Sequence, residues 1–257
     1  MPAIDVNSDL GESFGVWRMG DDAGILPSVS SANVACGYHA GDPSVMRETV
    51  RLCAEAGVAV GAHVSYPDLT GFGRRNMACS PREVYDCCMY QIGALQAFCR
   101  AEGIALQHVK PHGAMYNQAA RDRFLAEAIA EAARDSGDGI ILMGLAGSEF
   151  EPAAAAAGVR FAAEAFADRA YLKDGSLMPR SVDGSVIHDA AAAAARVVLM
   201  ASKGKVIAGD GTEINFKPDT VCLHGDTAEA VDMASAVRRA LAEAGIDIRP
   251  LREVLTR

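Results

Sequence analysis

The chain of 257 residues lacks several features that would assign it to a common class of protein. No apolar run approaches the roughly 20 residues that a membrane-spanning helix needs. The N-terminus has no basic segment followed by an apolar stretch, so we expect no secretion signal and a cytoplasmic protein. Basic residues number 24 against 33 acidic ones, so neither nucleic acid nor an anionic membrane surface is an expected partner.

Cysteine pairs with the C-x-x-C spacing are also missing, although seven cysteines are present. An odd number without such pairs indicates neither a disulfide framework nor a zinc knuckle. Most of these cysteines are therefore interpreted as small core residues in a reducing compartment. Cys36 and Cys222 lie beside polar candidate residues and could line a site, but buried cysteines are usually inert.

Phosphate-binding loops are absent as well, because neither G-x-x-x-x-G-K-[ST] nor a strand-linked G-x-G-x-x-G occurs. A nucleotide, if one is used, needs an unconventional site or a site on another chain. Residues 209–211, Gly-Asp-Gly, instead predict a hairpin turn between short strands at 205–207 and 213–215.

What the chain does contain is a regular alternation of strands and helices. Strands are predicted at 4–7, 31–36, 58–63, 105–110, 139–143, 159–164 and 220–223, with a short edge strand at 246–248. Helices are predicted at 43–56, 81–102, 121–134, 149–157, 186–202 and 227–244, and a longer irregular connection at 172–185. Asp42 before Pro43 and the capping-box pair Ser80 and Glu83 mark two helix starts.

This alternation, without a linker-like break in composition, predicts one α/β domain over residues 1–257 with a parallel sheet. The length and the repeat count favour a closed or nearly closed barrel. A doubly wound open sheet is the alternative, and periodicity does not separate the two.

Polar residues gather where the predicted strands end, most clearly at residues 58–75, where an apolar strand ends on His63 and a Gly-rich polar loop follows. The strand-end residues are Asn7, Asp9, Glu12, His39, Asp42, His63, Tyr66, Asp68, Lys110, His112, Glu164, Asp168, Arg169, His224 and Asp226. In a parallel barrel these ends meet at one mouth. Four of the six histidines lie there, and the other two, His108 and His188, are interpreted as structural.

Such a set is suited to catalysis, although any one histidine alone is more often a hydrogen-bonded structural group. Histidines and carboxylates supply general acids and bases, and Lys110 could stabilise an oxyanion or pair with phosphate. Arg169, Arg180 and the pair at 74–75 could hold a carboxylate, with ordinary surface charge as the plain alternative. A metal is the rival use: Asp9, His39 and His63 would suit zinc, but their spacing matches no local ligand signature.

Six blocks of the chain resemble a known family. They are NSDLGESFG at 7–15, SANVACGYHAGDP at 31–43, GAH through Arg75 at 61–75, VKPHGAMYN at 109–117, EAFADR at 164–169 and LHGD at 223–226. In this order they are similar to the signature blocks of the LamB/YcsF family. Tyr38, Val64 and Met115 differ from the residues expected there, but none of these positions is polar.

The resemblance implies a seven-stranded parallel (β/α) barrel similar to the glycoside hydrolase/deacetylase folds. It also implies ATP-dependent opening of 5-oxo-L-proline to L-glutamate, with ATP as the cofactor and 5-oxoprolinase subunits B and C as partners. It does not carry individual catalytic roles, so the residue roles that follow are interpreted from the residues themselves.

The catalytic candidates are Asp9 or His112 as the base, with Lys110 and His63 stabilising oxygen charge. Arg169 is expected to hold the substrate carboxylate, and the other expected substrate-binding residues are Asn7, Glu12, His39, Glu164 and His224. No residue is assigned as a metal ligand. Two alternatives stay open: a metal-dependent amidohydrolase or deacetylase that uses no ATP, and a non-catalytic subunit that binds the substrate and positions it for its partners.

Overall fold

Seven parallel strands close on themselves into a barrel. The computed structural model describes residues 2–215, 217–224 and 229–256. Its strands are β1 (Ala3–Leu10), β2 (Ser31–Ala35), β3 (Ala59–Val64), β4 (Leu106–Pro111), β5 (Ile141–Leu145), β6 (Arg160–Phe166), β7 (Lys205–Ile207), β8 (Glu213–Asn215), β9 (Thr220–Leu223) and β10 (Asp247–Ile248). Strands β1 to β6 pair in order, and β9 pairs with both β6 and β1. This closure confirms the seven-stranded (β/α) barrel and excludes the open sheet.

The helices follow the strands as predicted in most places. They are α1 (Asp22–Ile25), α2 (Pro43–Ala56), α3 (Pro81–Ala101), α4 (Gly113–Ala119), α5 (Arg123–Asp135), α6 (Phe150–Ala157), α7 (Ala190–Lys203), α8 (Ala230–Glu243) and α9 (Leu251–Val254). Asp42 caps α2 by accepting from two backbone N–H groups, and Ser80 with Glu83 forms the expected capping box of α3. In the described part of the chain, no helix is both long and apolar enough to cross a membrane.

The structure departs from the predicted elements most clearly in three places. Strand β1 runs on to Leu10 instead of ending at residue 7, so Asp9 lies in the strand. Helix α4 begins directly after His112, where no helix was predicted. Helix α7 begins at Ala190 instead of 186, because the Asp189 side chain caps it and the backbone N–H of Ile187 donates to the Asp168 carbonyl at 2.8 Å. Asp226 and the predicted start of the last helix at 227 lie outside the described residues.

The smaller elements agree with the sequence. Strands β7 and β8 form the predicted antiparallel hairpin, with Lys205 opposite Asn215. Strand β10 is the predicted edge strand, and it pairs in parallel with the start of β1. The apolar core lies between the barrel and its helices, and Cys53, Cys88 and Cys99 are buried in it as small core residues.

The interior of the barrel is polar, which positions the site. On β1, Asp5, Asn7 and Asp9 alternate with the core residues Ile4 and Val6, as the period of a strand requires. The polar members bond across the barrel to neighbouring strands: Asp5 to Ser30 and Ser31, Asn7 to Asn33 and Thr220, and Asp9 to Asn33 and Lys110. A column of hydrogen bonds therefore runs through the barrel to the carboxyl ends of the strands.

Candidate active site

A cavity of about 540 Å³ opens at the carboxyl ends of the strands. Six of the predicted site residues line it: Asp9, His63, Lys110, His112, Arg169 and His224. The other four, Asn7, Glu12, His39 and Glu164, are buried behind them and contact members of the lining. The predicted convergence of distant residues on one mouth is therefore present, and the four inner residues stay a prediction as substrate contacts.

Lys110 is the central cation of the site. Its Nζ lies 2.9 Å from Asp9 Oδ1, 3.0 Å from Glu164 Oε1 and 3.1 Å from Cys222 Sγ. Burial acts to lower the pKa of Lys110, but the facing groups, Asp9 first, outweigh it and raise that pKa well above its usual value. Burial also raises the pKa of Cys222, so this residue faces the lysine as a neutral thiol instead of a nucleophilic thiolate.

Asp9 joins the lysine to the histidines. Its Oδ1 accepts from Lys110 and from Asn33 Nδ2 at 2.8 Å, and its Oδ2 lies 3.3 Å from His63 Nε2. Burial acts to raise the pKa of Asp9, but His63 and Lys110 outweigh it and hold that pKa well below its ordinary value. Asp9 is therefore a carboxylate that faces the cavity with one oxygen already occupied.

Three histidines, His39, His63 and His112, pack against one another beside Asp9 and Glu12. His63 Nε2 and His112 Nδ1 are 3.0 Å apart, and the rings of His39 and His112 stack with centroids 3.9 Å apart. His39 Nε2 lies 3.2 Å from Glu12 Oε1. Burial, followed by the neighbouring histidines, holds the pKa values of His39 and His112 well below the ordinary value.

Arginines make up the cationic side of the cavity. Arg169 is buried and donates to the carbonyls of Ser185 and Met178, and burial followed by the neighbouring Arg180 lowers its pKa to about 10. Arg74, Arg121 and Arg180 line the same cavity. An anionic group on the substrate would meet this side of the cavity.

Some strand-end residues support the site without lining it. Asp68 forms an ion pair with Arg75. Arg75, one of the two arginines expected to hold a carboxylate, therefore makes a structural contact. Tyr66 is buried in the apolar core. His108 bonds to Asn33 Oδ1 at 2.7 Å inside the barrel, which confirms the structural interpretation of that histidine. His188 is exposed beside the start of α7.

His224 is held by Asp168, because its Nδ1 lies 2.7 Å from Asp168 Oδ2. Burial acts to raise the pKa of Asp168, but His224 outweighs it and the pKa is lowered. The ring of His224 stacks on Phe166 with centroids 5.7 Å apart. The pair therefore fixes one wall of the cavity.

Sequence reasoning assigned no role to several lining or supporting residues. Tyr116 lines the cavity, and its hydroxyl group donates to Glu164 Oε2 at 2.8 Å. It was given no role in the sequence analysis, although it lies in one of the blocks that resemble the family. Asn33 lies within β2 and bonds to Asn7, Asp9 and His108. The alternation of polar and apolar residues in β1 and β2 was the signal that could have revealed this interior. Residues 176–179 also line the cavity, next to the predicted candidate Arg180, but they come from the irregular connection, which has no periodic signal.

Among the residues that the structure describes, two groups of side chains have ligand atoms close enough for one metal ion. In the first, the ligand atoms of Glu12, His39, His63 and His112 lie within 4.8 Å of one another. In the second, Asp9, Cys222 and His224 meet the same criterion, but Lys110 Nζ already contacts Asp9 and Cys222. The first group is therefore the better candidate for a metal.

The fold and the site together define a seven-stranded (β/α) barrel with a polar, histidine-rich cavity at its carboxyl end. The LamB/YcsF family model matches residues 4–256, and the chain belongs to this family. It is 52% identical over 249 residues to a Bacillus licheniformis protein named as the A subunit of 5-oxoprolinase, covering 97% of this chain and 98% of that protein.

Solved structures agree with this assignment. The crystal structure of the lactam utilization protein from Thermus thermophilus is 51% identical, has a TM-score of 0.91 and covers 96% of this chain and 99% of its own. A structure named T48 deacetylase with substrate has a TM-score of 0.51 at 12% identity, covering 99% of this chain and 91% of its own, and it is similar in fold alone. The expected likeness to deacetylase barrels is confirmed at the level of the fold.

Proposed function

We propose that this chain is the subunit of an ATP-dependent 5-oxoprolinase in which the ring of 5-oxo-L-proline is opened to L-glutamate. The observation that carries the proposal is the convergence of Asp9, His63, Lys110, His112 and Arg169 on one cavity. The relatives named as the A subunit of 5-oxoprolinase support the substrate. The same name, which is that of one subunit, supports partner chains, which we take to be subunits B and C.

ATP is part of the proposal for a chemical reason. A five-membered lactam closes easily because its amine and acyl groups are held close together, so opening needs a driving reaction. Phosphorylation of the amide oxygen would make the carbonyl carbon open to attack by water. Because the sequence has no conventional phosphate loop, we propose that the nucleotide is bound by a partner subunit or at an unconventional site.

The proposed roles follow from the positions of the side chains. Asp9 or His112 accepts the proton of the attacking water, since both residues line the cavity. Lys110 and His63 stabilise negative charge that develops on oxygen. Arg169 holds the carboxylate of the substrate, and Arg180 is a cationic neighbour of Arg169 in the cavity wall.

The decisive assay measures glutamate and phosphate released from 5-oxoproline and ATP, first with this chain alone and then with its two suspected partners. We expect Lys110→Ala and His112→Ala each to reduce coupled turnover by about 10²-fold or more, the usual loss when a charge-stabilising or acid–base group is removed. His188→Ala, at an exposed histidine, is the matched control and should keep full turnover. Near-normal turnover of both site variants, with folding intact, would reject these roles.

The same variants separate the non-catalytic alternative. If the chain only binds the substrate for its partners, the variants should weaken 5-oxoproline binding and leave turnover at saturating substrate unchanged. Arg169→Lys provides a second readout, because lysine does not reproduce the bidentate contact of arginine with a carboxylate. We expect it to raise the KM for 5-oxoproline much more than it lowers kcat, and an unchanged KM would count against the assigned role.

A metal-dependent amidohydrolase that needs no ATP is the second candidate, and the histidine cluster at His39, His63 and His112 favours it. This alternative predicts ring or amide hydrolysis without nucleotide and inhibition by a chelator. The cytoplasmic location expected from the sequence stays a prediction.

A further inference from the structure

Hydrogen bonds to two carbonyl groups fix the tautomers of the central histidines. The Nε2 of His112 lies 2.9 Å from the Phe72 carbonyl oxygen, and the Nδ1 of His63 lies 3.1 Å from the Lys110 carbonyl oxygen. A carbonyl oxygen only accepts, so each of these ring nitrogens must carry the hydrogen and donate it. In the neutral rings, His112 Nδ1 and His63 Nε2 are therefore bare acceptors.

These two bare nitrogens face each other at 3.0 Å. Asp9 Oδ2 lies 3.3 Å from His63 Nε2, and Glu12 Oε1 lies 4.0 Å from His112 Nδ1. The acceptor atoms of Asp9, His63 and His112 thus follow one another in a buried row at 3.3 and 3.0 Å, and acceptors crowded in this way repel one another unless a cation lies between them. Lys110 does not fill that role, because its Nζ contacts the other oxygen of Asp9 and groups away from the histidines.

The geometry points to a binding site for one divalent transition-metal ion with Asp9, Glu12, His63 and His112 as its ligands. Two imidazoles and two carboxylates are a donor set that suits zinc, cobalt or manganese. Ligand atoms about 2.0–2.2 Å from such an ion are separated from one another by about 3 Å or slightly more. The separations of 3.0 and 3.3 Å match this spacing, the separation of 4.0 Å is longer, and the ligand atoms of Glu12, His63 and His112 lie within 4.8 Å of one another.

His39 is assigned to a supporting position instead of the metal. Its ring is nearly parallel to the ring of His112, at an interplanar angle of 7° and a centroid distance of 3.9 Å. A metal ion lies close to the plane of the imidazole that binds it, and one ion does not lie in two stacked planes at once. His39 Nε2 instead contacts Glu12 Oε1 at 3.2 Å, so His39 orients a ligand, as groups around metal sites commonly do.

The surroundings already resemble those of a metal site. The two imidazole ligands are each oriented by a backbone carbonyl on the opposite nitrogen, and Asp9 is oriented by Asn33 and Lys110. Asp9, His63 and His112 also line the cavity, so an open coordination position would face the substrate. With an ion bound, Asp9, His63 and His112 would hold the ion instead of acting as base or oxyanion-stabilising groups, and the ion would supply the Lewis acidity that activates water. The roles of Lys110 and Arg169 would be unchanged.

The test uses the full-length chain, stripped with a chelator and then titrated with Co²⁺ or Zn²⁺ alone. We expect one ion per chain by calorimetry and elemental analysis, and visible Co²⁺ absorption typical of nitrogen and oxygen ligands. His63→Asn and His112→Asn should abolish binding at one ion per chain, whereas His39→Gln should weaken it by about 10–100-fold, the usual effect of losing a group that orients a ligand. His188→Asn, at an exposed histidine, should bind like the unaltered chain.

The result is readable whether or not the ring-opening proposal is correct, because binding is measured without substrate or partner subunits. Absence of one-to-one uptake by the unaltered chain would overturn the inference. Full binding by a folded His63→Asn or His112→Asn variant would overturn it as well. If those variants do not fold, X-ray absorption of the Co²⁺ form of the unaltered chain decides: two imidazole ligands support the site, and none refutes it.

Discussion

A buried carboxyl group deep in the barrel makes stability depend on pH in an unusual direction. Asp5 has no exposed surface, and it accepts hydrogen bonds from Ser30, Ser31 and Thr220. Burial raises its pKa from 3.8 to about 6, and the three hydroxyl groups only partly oppose this effect. The perturbation we consider is Asp5→Asn, which keeps the shape of the side chain and removes its charge.

The size of the effect follows from the shift in pKa. Because the pKa in the folded state lies above that in the unfolded state, the folded chain keeps a proton on Asp5 that the unfolded chain has already released between about pH 4 and pH 6. Stability from this group is therefore fully present at low pH and is lost as the pH rises through this window. A shift of about two units at 1.36 kcal/mol per unit corresponds to about 3 kcal/mol.

The assay is urea unfolding of the unaltered chain and of Asp5→Asn at about pH 4 and pH 7. Asparagine does not ionise, so the free energy of unfolding of the variant relative to the unaltered chain should improve by about 2 kcal/mol between the two pH values, less than the full value of about 3 kcal/mol because the unfolded chain has already released about half of this proton at pH 4. Any constant cost of placing an amide among three hydroxyl groups cancels in this comparison, and so do the titrating groups that do not interact with Asp5. The same relative stability at both pH values would refute the reasoning, because it would mean that the Asp5 carboxyl does not have a raised pKa.

Two further predictions concern packing and hydrogen bonding near the site. A Cβ at Gly61 would lie 2.0 Å from His108 Nε2, so Gly61→Ala should destabilise the chain by about 1–3 kcal/mol, whereas Gly93→Ala, in a helix with open space around the new atom, should stabilise it by up to about 1 kcal/mol. Urea midpoints that move in the same direction for both variants would contradict this. Tyr116→Phe removes the hydrogen bond to buried Glu164 and should cost about 1–3 kcal/mol in thermal or urea unfolding, and an unchanged midpoint would show that water replaces the hydroxyl group.

Local signals in the sequence predicted the start of a helix well where a capping side chain determines that start. Asp42, Ser80 and Glu83 marked helix starts correctly, because a side chain that caps a helix is a neighbour of the helix in sequence. The start of α7 was missed because Ile187 bonds to the backbone at Asp168, a contact that the local pattern does not reveal. The short helix α4 was missed because it follows a Pro-His-Gly sequence that normally indicates a turn.

The position of polar residues at the ends of predicted parallel strands indicated which residues meet. Parallel strands bring their carboxyl ends to one mouth of the barrel, whatever their separation in sequence. That position did not predict how they meet. Tyr66, Asp42 and Asp68 also follow strand ends, yet they pack in the core, cap a helix and pair with Arg75. Which strand-end residue faces the cavity depends on loop geometry, and loops here are fixed by tertiary contacts.

The sequence by itself determined the alternation of strands and helices, the identities of the polar residues at the strand ends and the resemblance to one family. Each of these depends on residues that are close to one another in the sequence. Only the tertiary structure decided that the sheet closes, through the pairing of β1 with β9, and that the barrel interior is a hydrogen-bonded polar column. It also decided that two histidine lone pairs face each other beside two carboxylates. Distances between residues that lie far apart in the chain depend on packing of the whole barrel, and no local pattern specifies them.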